Sequence, residues 1–194
     1  FLRSTESFCV SAVVKSRCVV LGSNKFSICQ HTDFVVLIFS IMQNALNVNS
    51  KAPEANANMA ILALKNGDTD KAETLMGQAS GSDTFNEILG NLNIAKGNYA
   101  QAQQNLAQTQ SNSAALAQIL NKDYANAKKT LSAIKTPDAI TSYLKAVLAA
   151  RTSDTGALKS NLKVAIASDS SLKERAANDL EFANYKSTIA ELVK

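Results

Sequence analysis

An all-α solenoid of stacked helical hairpins, closed by a C-terminal capping helix, is the fold this sequence predicts, and three observations predict it. The first is the stretch 85–107, FNEILGNLNIAKGNYAQAQQNLA, in which Leu89, Leu92 and Ala95 recur at helical spacing before Lys96-Gly97-Asn98, and Ala102, Leu106 and Ala107 recur after it. Glycine takes the left-handed conformation that ends a helix without a Cβ penalty, so Gly97 reads as the turn of a helical hairpin. Small residues at Gly90 and Ala102 let its two helices approach closely. The second observation is self-similarity. The same grammar recurs over 59–76, 115–131 and 146–165, and the residue that follows each turn falls at Ala72, Ala102, Ala127 and Leu158, with separations of 30, 25 and 31 residues. One hairpin cannot bury its apolar face alone, and repeats at this period supply the neighbours it needs. The third is composition. Aromatics make up only 6% of the 194 residues and tryptophan is absent, so the core must be built from Ala, Leu, Ile and Val, which suits closely packed helices.

Taken in order, residues 1–33 stand apart: they are rich in Ser, Val and Cys and do not begin with Met. Two readings stand for them. Segments 10–14 and 18–21 have strand-like content around Gly22-Ser23-Asn24, which suggests a small hairpin. Alternatively the segment is a non-native leader, expected to be disordered or poorly packed; this is preferred, because the repeat is under way by Ala45 with no first helix recognisable before it. The chain is thus divided into a leader, 1–33, and a helical repeat domain, 34–194.

FVVLIFSIM, 34–42, is the most apolar run, at nine residues far short of the ~20 that cross a membrane. As a signal-peptide core it would follow a long, irregular leader without a clear small-residue cleavage site. With Thr32 or Asp33 as cap it predicts a helix over 33–46 that packs on the helical stretch 56–65. Pro53 suits the first turn of that next helix, 53–66, and 69–78 follows. Ser82 or Asp83 is the expected cap of 84–96. Helices at 99–108, 112–121 and 124–135 come next, the last two forming an abbreviated hairpin. Pro137 is placed in the first turn of 138–151, followed by 155–168. Helices over 171–180 and 184–193 end the chain, with Lys173, Glu174, Arg175 and Asn178 giving the outer face the polarity a terminal repeat requires.

Leu89-Gly90, Gly97-Asn98-Tyr99 and Ala102, in that order and spacing, resemble the tetratricopeptide repeat (TPR) family. Ala45-Leu46-Asn47-Val48-Asn49 is similar to the end of the family's second helix, and Ala45 lies 34 residues before Ala79, the family's period. The resemblance covers 43–185. The sequence departs from it in four ways: the third unit is short, Lys122 replaces the turn glycine, Lys145 stands where an apolar residue is usual, and the aromatic opening the first helix is missing. The resemblance implies a groove lined by the first helix of each hairpin. By position this groove would receive Ala57, Ile61 and Lys65, then Glu87, Asn91 and Ile94, then Asn112, Leu116 and Ile119. Ala57 and Ile61 occupy slots of the family's Lys/Asn/Arg clamp for a C-terminal carboxylate, which disfavours that mode of binding. Equally, all nine residues are candidates simply to pack against a neighbouring repeat or an absent domain.

The chemistry of catalysis is sparse. There is no Walker loop, G-x-G-x-x-G, H-E-x-x-H or G-x-S-x-G. His31 is the only histidine. Cys9, Cys18 and Cys29, separated by 9 and 11 residues, lack the paired spacing of a zinc knuckle, so no metal or cofactor is expected. Asp68 with Asp70, and Asp179 with Glu181, are carboxylate pairs, the first best explained by a helix start. The net charge of +4 divides as +2 before residue 50 (four basic, two acidic) and +2 after it (16 and 14), without the basic face of a nucleic-acid binder. The expected function is a non-enzymatic scaffold binding a peptide or partner protein. The alternative is a structural spacer or the C-terminal part of a larger cell-envelope protein; an enzyme whose catalytic domain lies upstream is a third reading. The Asn-, Ser-, Thr- and Ala-rich, Glu-poor repeats resemble bacterial TPR proteins of the cell envelope.

Overall fold

The computed structural model describes residues 30–193, and side chains from residue 39 onward. The expectations for the leader and for Cys9, Cys18, Cys29 and the His31 side chain lie outside the described residues. Every regular element among the described residues is helical: α1 (Gln30–Val48), α2 (Pro53–Lys65), α3 (Thr69–Met76), α4 (Phe85–Ala95), α5 (Tyr99–Asn105), α6 (Asn112–Leu120), α7 (Tyr124–Ala133), α8 (Ala139–Arg151), α9 (Thr155–Ser168), α10 (Leu172–Asn178), a 3-10 turn (Leu180–Tyr185) and α11 (Lys186–Leu192). They form two compact units that divide at the Gly97–Asn98 turn. No helix among the described residues is long and apolar enough to cross a membrane.

In the first unit α1 packs on α2, α2 pairs with α3, and α4 packs on both. The core is as small-residue-rich as the composition requires: Ala57, Ala60, Ala63, Leu64, Ala72, Met76, Ala79, Ile88 and Leu92 interlock, with Ile61, Leu75, Phe85 and Leu89 packed around them. Alanine at so many contact positions lets helix axes come close, and each such contact depends on dispersion from close packing more than on large buried area. In the second unit α5 packs on α6, α6 pairs with α7, α8 packs on both, and α8 with α9 forms the most extensive pair. Its centre holds Tyr143, Leu144, Leu158, Leu162 and Phe182, all at most 2% exposed.

One turn geometry recurs along the chain. Gly67, Gly97, Lys122 and Ser153 have φ of 76°, 80°, 64° and 60°. At Gly67, Lys122 and Ser153 the N–H of the turn residue donates three residues back (to Leu64, Ile119 and Ala150), and the next N–H donates five residues back (Asp68 to Ala63, Asp123 to Gln118, Asp154 to Ala149). This double bond satisfies the last carbonyls of the first helix. The same aspartate then caps the second helix: Asp68, Asp123 and Asp154 accept from the backbone N–H of Lys71, Asn126 and Ala157. Lys122 and Ser153 therefore occupy glycine's place with glycine's conformation.

Several local expectations need correction. The first helix begins at Gln30, so Thr32 and Asp33 lie within it and do not cap it. Neither Ser82 nor Asp83 caps α4; its N-cap is Thr84, without a side-chain bond, and the Ser82 carbonyl accepts from Phe85 N–H instead. Pro137 stands two residues before the start of α8, because Asp138 is the N-cap and closes a reciprocal pair with Thr141. The helix expected to run to 180 stops at Asn178. Asp179 is extended there, accepts the Tyr143 hydroxyl at 2.7 Å, and caps the 3-10 turn through Glu181 N–H.

Candidate functional site

The nine side chains assigned to a groove do not share one environment. In the first unit Ala57, Asn91 and Ile94 are buried, Ile61 and Glu87 are half-buried, and Lys65 is exposed. Ile61 leans on the alanine-rich core. The Asn91 side-chain oxygen is enclosed without a hydrogen-bond partner among the described residues. In the second unit Leu116 and Ile119 are buried and Asn112 is half-buried. Asn112 is engaged by its neighbours: its Nδ2 donates to Asp138 Oδ1 at 3.0 Å and its Oδ1 accepts from Thr141 Oγ1 at 2.9 Å. The Ile119 carbonyl accepts from Arg151 Nη1 at 3.1 Å. Two positions that the family pattern offers to a ligand thus hold α6 against α8.

An open part of the first-helix surface is the C-terminal end of α2. There α1, α2 and the start of α3 enclose a cleft of about 300 Å³, with Phe39, Met59 and Leu62 as its apolar lining and Lys65, Asp68 and Lys71 at its polar end. The fold explains the grouping. Lys65 sits two residues before Gly67 and Lys71 four after it, so the reversal of the chain at Gly67 brings both residues to one cleft. Asp68, between them, is held by the Lys71 backbone N–H at 3.0 Å as the cap of α3. Only Lys65 of this set follows from the family pattern. Lys71 was not singled out from the sequence, although its place four residues after Gly67 is a local signal that could have found it, whereas nothing local in the sequence places Phe39 beside Leu62.

The charged and aromatic groups of the second unit form a different arrangement. Arg151 makes a two-pronged ion pair with Glu181, at 2.7 and 2.6 Å. The bonds to Glu181 raise the guanidinium's affinity for its proton. Tyr143 donates to Asp179, meets Phe182 edge to face at 5.6 Å between centroids, and has the Arg175 guanidinium 5.6 Å from its ring centre. Burial, reinforced by the Asp179 carboxylate, pushes the Tyr143 phenol well above its ordinary range. The pair Asp179 and Glu181 is therefore split between two partners, and each carboxylate fastens the C-terminal segment to α8. Along the α5–α7 edge, Gln103 bridges Asn121 and Asp123, and the bonds that Asp123 accepts from Asn126 and Gln103 hold its carboxyl below the usual range. Among the described residues no three His, Cys, Asp or Glu side chains gather as metal ligands.

Comparison with family models, curated proteins and solved structures finds no match to this chain.

Proposed function

We propose that the chain is a non-enzymatic interaction scaffold of TPR-like hairpins that takes a peptide or a partner protein against the exposed end of its first-helix surface. The observation that carries this reading is the cleft at the end of α2, where an apolar lining opens beside the exposed Lys65. A repeated hairpin with one shared turn geometry supports it, because rigid helices hold such a surface without loss of order on binding. The test is titration of the purified full chain with candidate partners: saturable binding at micromolar concentration is expected. Absence of any binding above that of an unrelated helical protein would discard the scaffold reading.

A spacer is the second reading, and a specific observation favours it. Asn112 and the Ile119 carbonyl are spent on α8, so that part of the first-helix surface joins helices. A spacer binds nothing at either Lys65 or Glu87, so Lys65→Gln and Glu87→Gln would each leave the chain's interactions unchanged.

A further inference from the structure

We infer that the cleft between α1 and α2 binds an acidic peptide segment carrying one large apolar side chain, which seats on Phe39, Met59 and Leu62 while flanking carboxylates meet Lys65 and Lys71. This rests on the scaffold reading and names the partner's chemistry. It also extends the contact from the end of the α2 face to the neighbouring α1, at the turn end of the hairpin.

Size argues for a side chain. About 300 Å³ is at the small end of ligand-sized clefts, enough for one leucine- or phenylalanine-sized group and its backbone. The lining is ready for it: Met59, 5% exposed, contributes to it from α2, while Phe39, 43% exposed on α1, is a large apolar surface left open to solvent. Apolar area of this kind yields roughly 25 cal/mol per Å² when covered. Charge argues for acid. Lys65 and Lys71 have no ion-pair partner among the described residues, in contrast to Lys96 with Glu73 and Lys159 with Glu191. The one carboxylate at the mouth, Asp68, faces the N-terminal amides of α3, where the helix dipole already balances it. Two cations around an apolar floor favour a carboxylate-bearing peptide and repel a basic one. Two lysines are too few to track a nucleic-acid backbone.

Selection of a random 12-residue peptide library on the immobilised full chain tests this, followed by fluorescence-polarisation titration of synthetic winners. The expected winners carry Asp or Glu around one Leu, Ile, Met or Phe. Their affinity falls about tenfold or more in Lys65→Glu/Lys71→Glu, falls again with salt because exposed charges are screened, and falls in Phe39→Ala. These residues are exposed, so circular dichroism melts of the variants should match the parent. Acidic winners that ignore the lysine reversals but weaken in Glu87→Gln overturn the cleft and keep the scaffold. Winners without acidic enrichment do the same. No winner at all overturns both. A dimer in light scattering that the lysine reversals dissociate, or an intramolecular cross-link from Lys65 or Lys71 to residues 1–29 in the monomer, assigns the cleft to a second copy or to the chain's own leader, and overturns the peptide assignment.

Discussion

Lys122 and Ser153 hold a conformation that L-residues with a Cβ adopt at a cost, with φ near +60°. Their turns are otherwise indistinguishable from that at Gly67, so glycine fits both without any rearrangement. Lys122→Gly and Ser153→Gly are each expected to stabilise by about 0.5–1 kcal/mol, the relief of strain exceeding the added freedom of the unfolded chain. Gly97→Ala, at φ 80°, is expected to destabilise by about 1 kcal/mol. Urea midpoints at constant slope measure all three, and loss of stability in the two glycine variants would refute a shared turn. The aspartates beside these turns make a second residue-scale prediction. Asp123→Ala removes a cap and two side-chain bonds and should cost about 1–2 kcal/mol at neutral pH. The Asp123 carboxyl titrates lower in the fold than its ordinary value of 3.8, so its contribution is present above that value and is lost as pH falls through its folded one. The stability gap between parent and variant should therefore close below about pH 4; a gap that persists at pH 2 would show that the carboxylate charge is not involved.

At the scale of elements, the C-terminal segment is distinctive. The 3-10 turn replaces a continuous helix because three of its side chains face α8: Glu181 pairs with Arg151, Phe182 is buried, and the Tyr185 hydroxyl donates to the Ala150 carbonyl at 3.1 Å. A helix running on through Asp179 would present these groups at a different angular spacing. The Arg151 and Glu181 side chains are only 20% and 13% exposed, so removing one leaves its partner poorly solvated. Arg151→Met alone should cost roughly 3 kcal/mol, and Arg151→Met/Glu181→Leu less than the sum of the single changes. Additive losses in a double-mutant cycle would show that the pair does not act as a unit. Phe182→Ala, which empties the space beneath Tyr143, should cost about 3–5 kcal/mol.

At the scale of the whole chain, stability in stacked hairpins is carried by each hairpin and its contacts with its neighbours. The Phe182→Ala loss is therefore expected to raise amide exchange in α8–α11 and to leave α2 and α3 near their parental protection. A uniform rise across both units would mean that they unfold as one. The distribution of groove residues belongs to this scale as well. A repeat pattern marks positions on the first helices without stating which ones the next hairpin will cover, and α8 covers those of α6.

What the sequence by itself determined is the local grammar. Helical spacing of Leu and Ala, turn residues at Gly67, Gly97, Lys122 and Ser153, and aspartates after three of those turns specify where helices begin and reverse, since each acts within one turn of chain. The boundary near 180 failed because distant groups intervened: Asp179 is drawn off its helix by Tyr143, 36 residues away, and Glu181 by Arg151, 30 residues away. The same reason separates the two accounts of the site. Lys65 was readable as a first-helix position, whereas Lys71 was not singled out and joins it only in the folded cleft. Tertiary structure alone put Phe39 of α1 across from Leu62 and buried Asn91, Ile94 and Ile119, because the side of a helix that stays open is set by its packing neighbours.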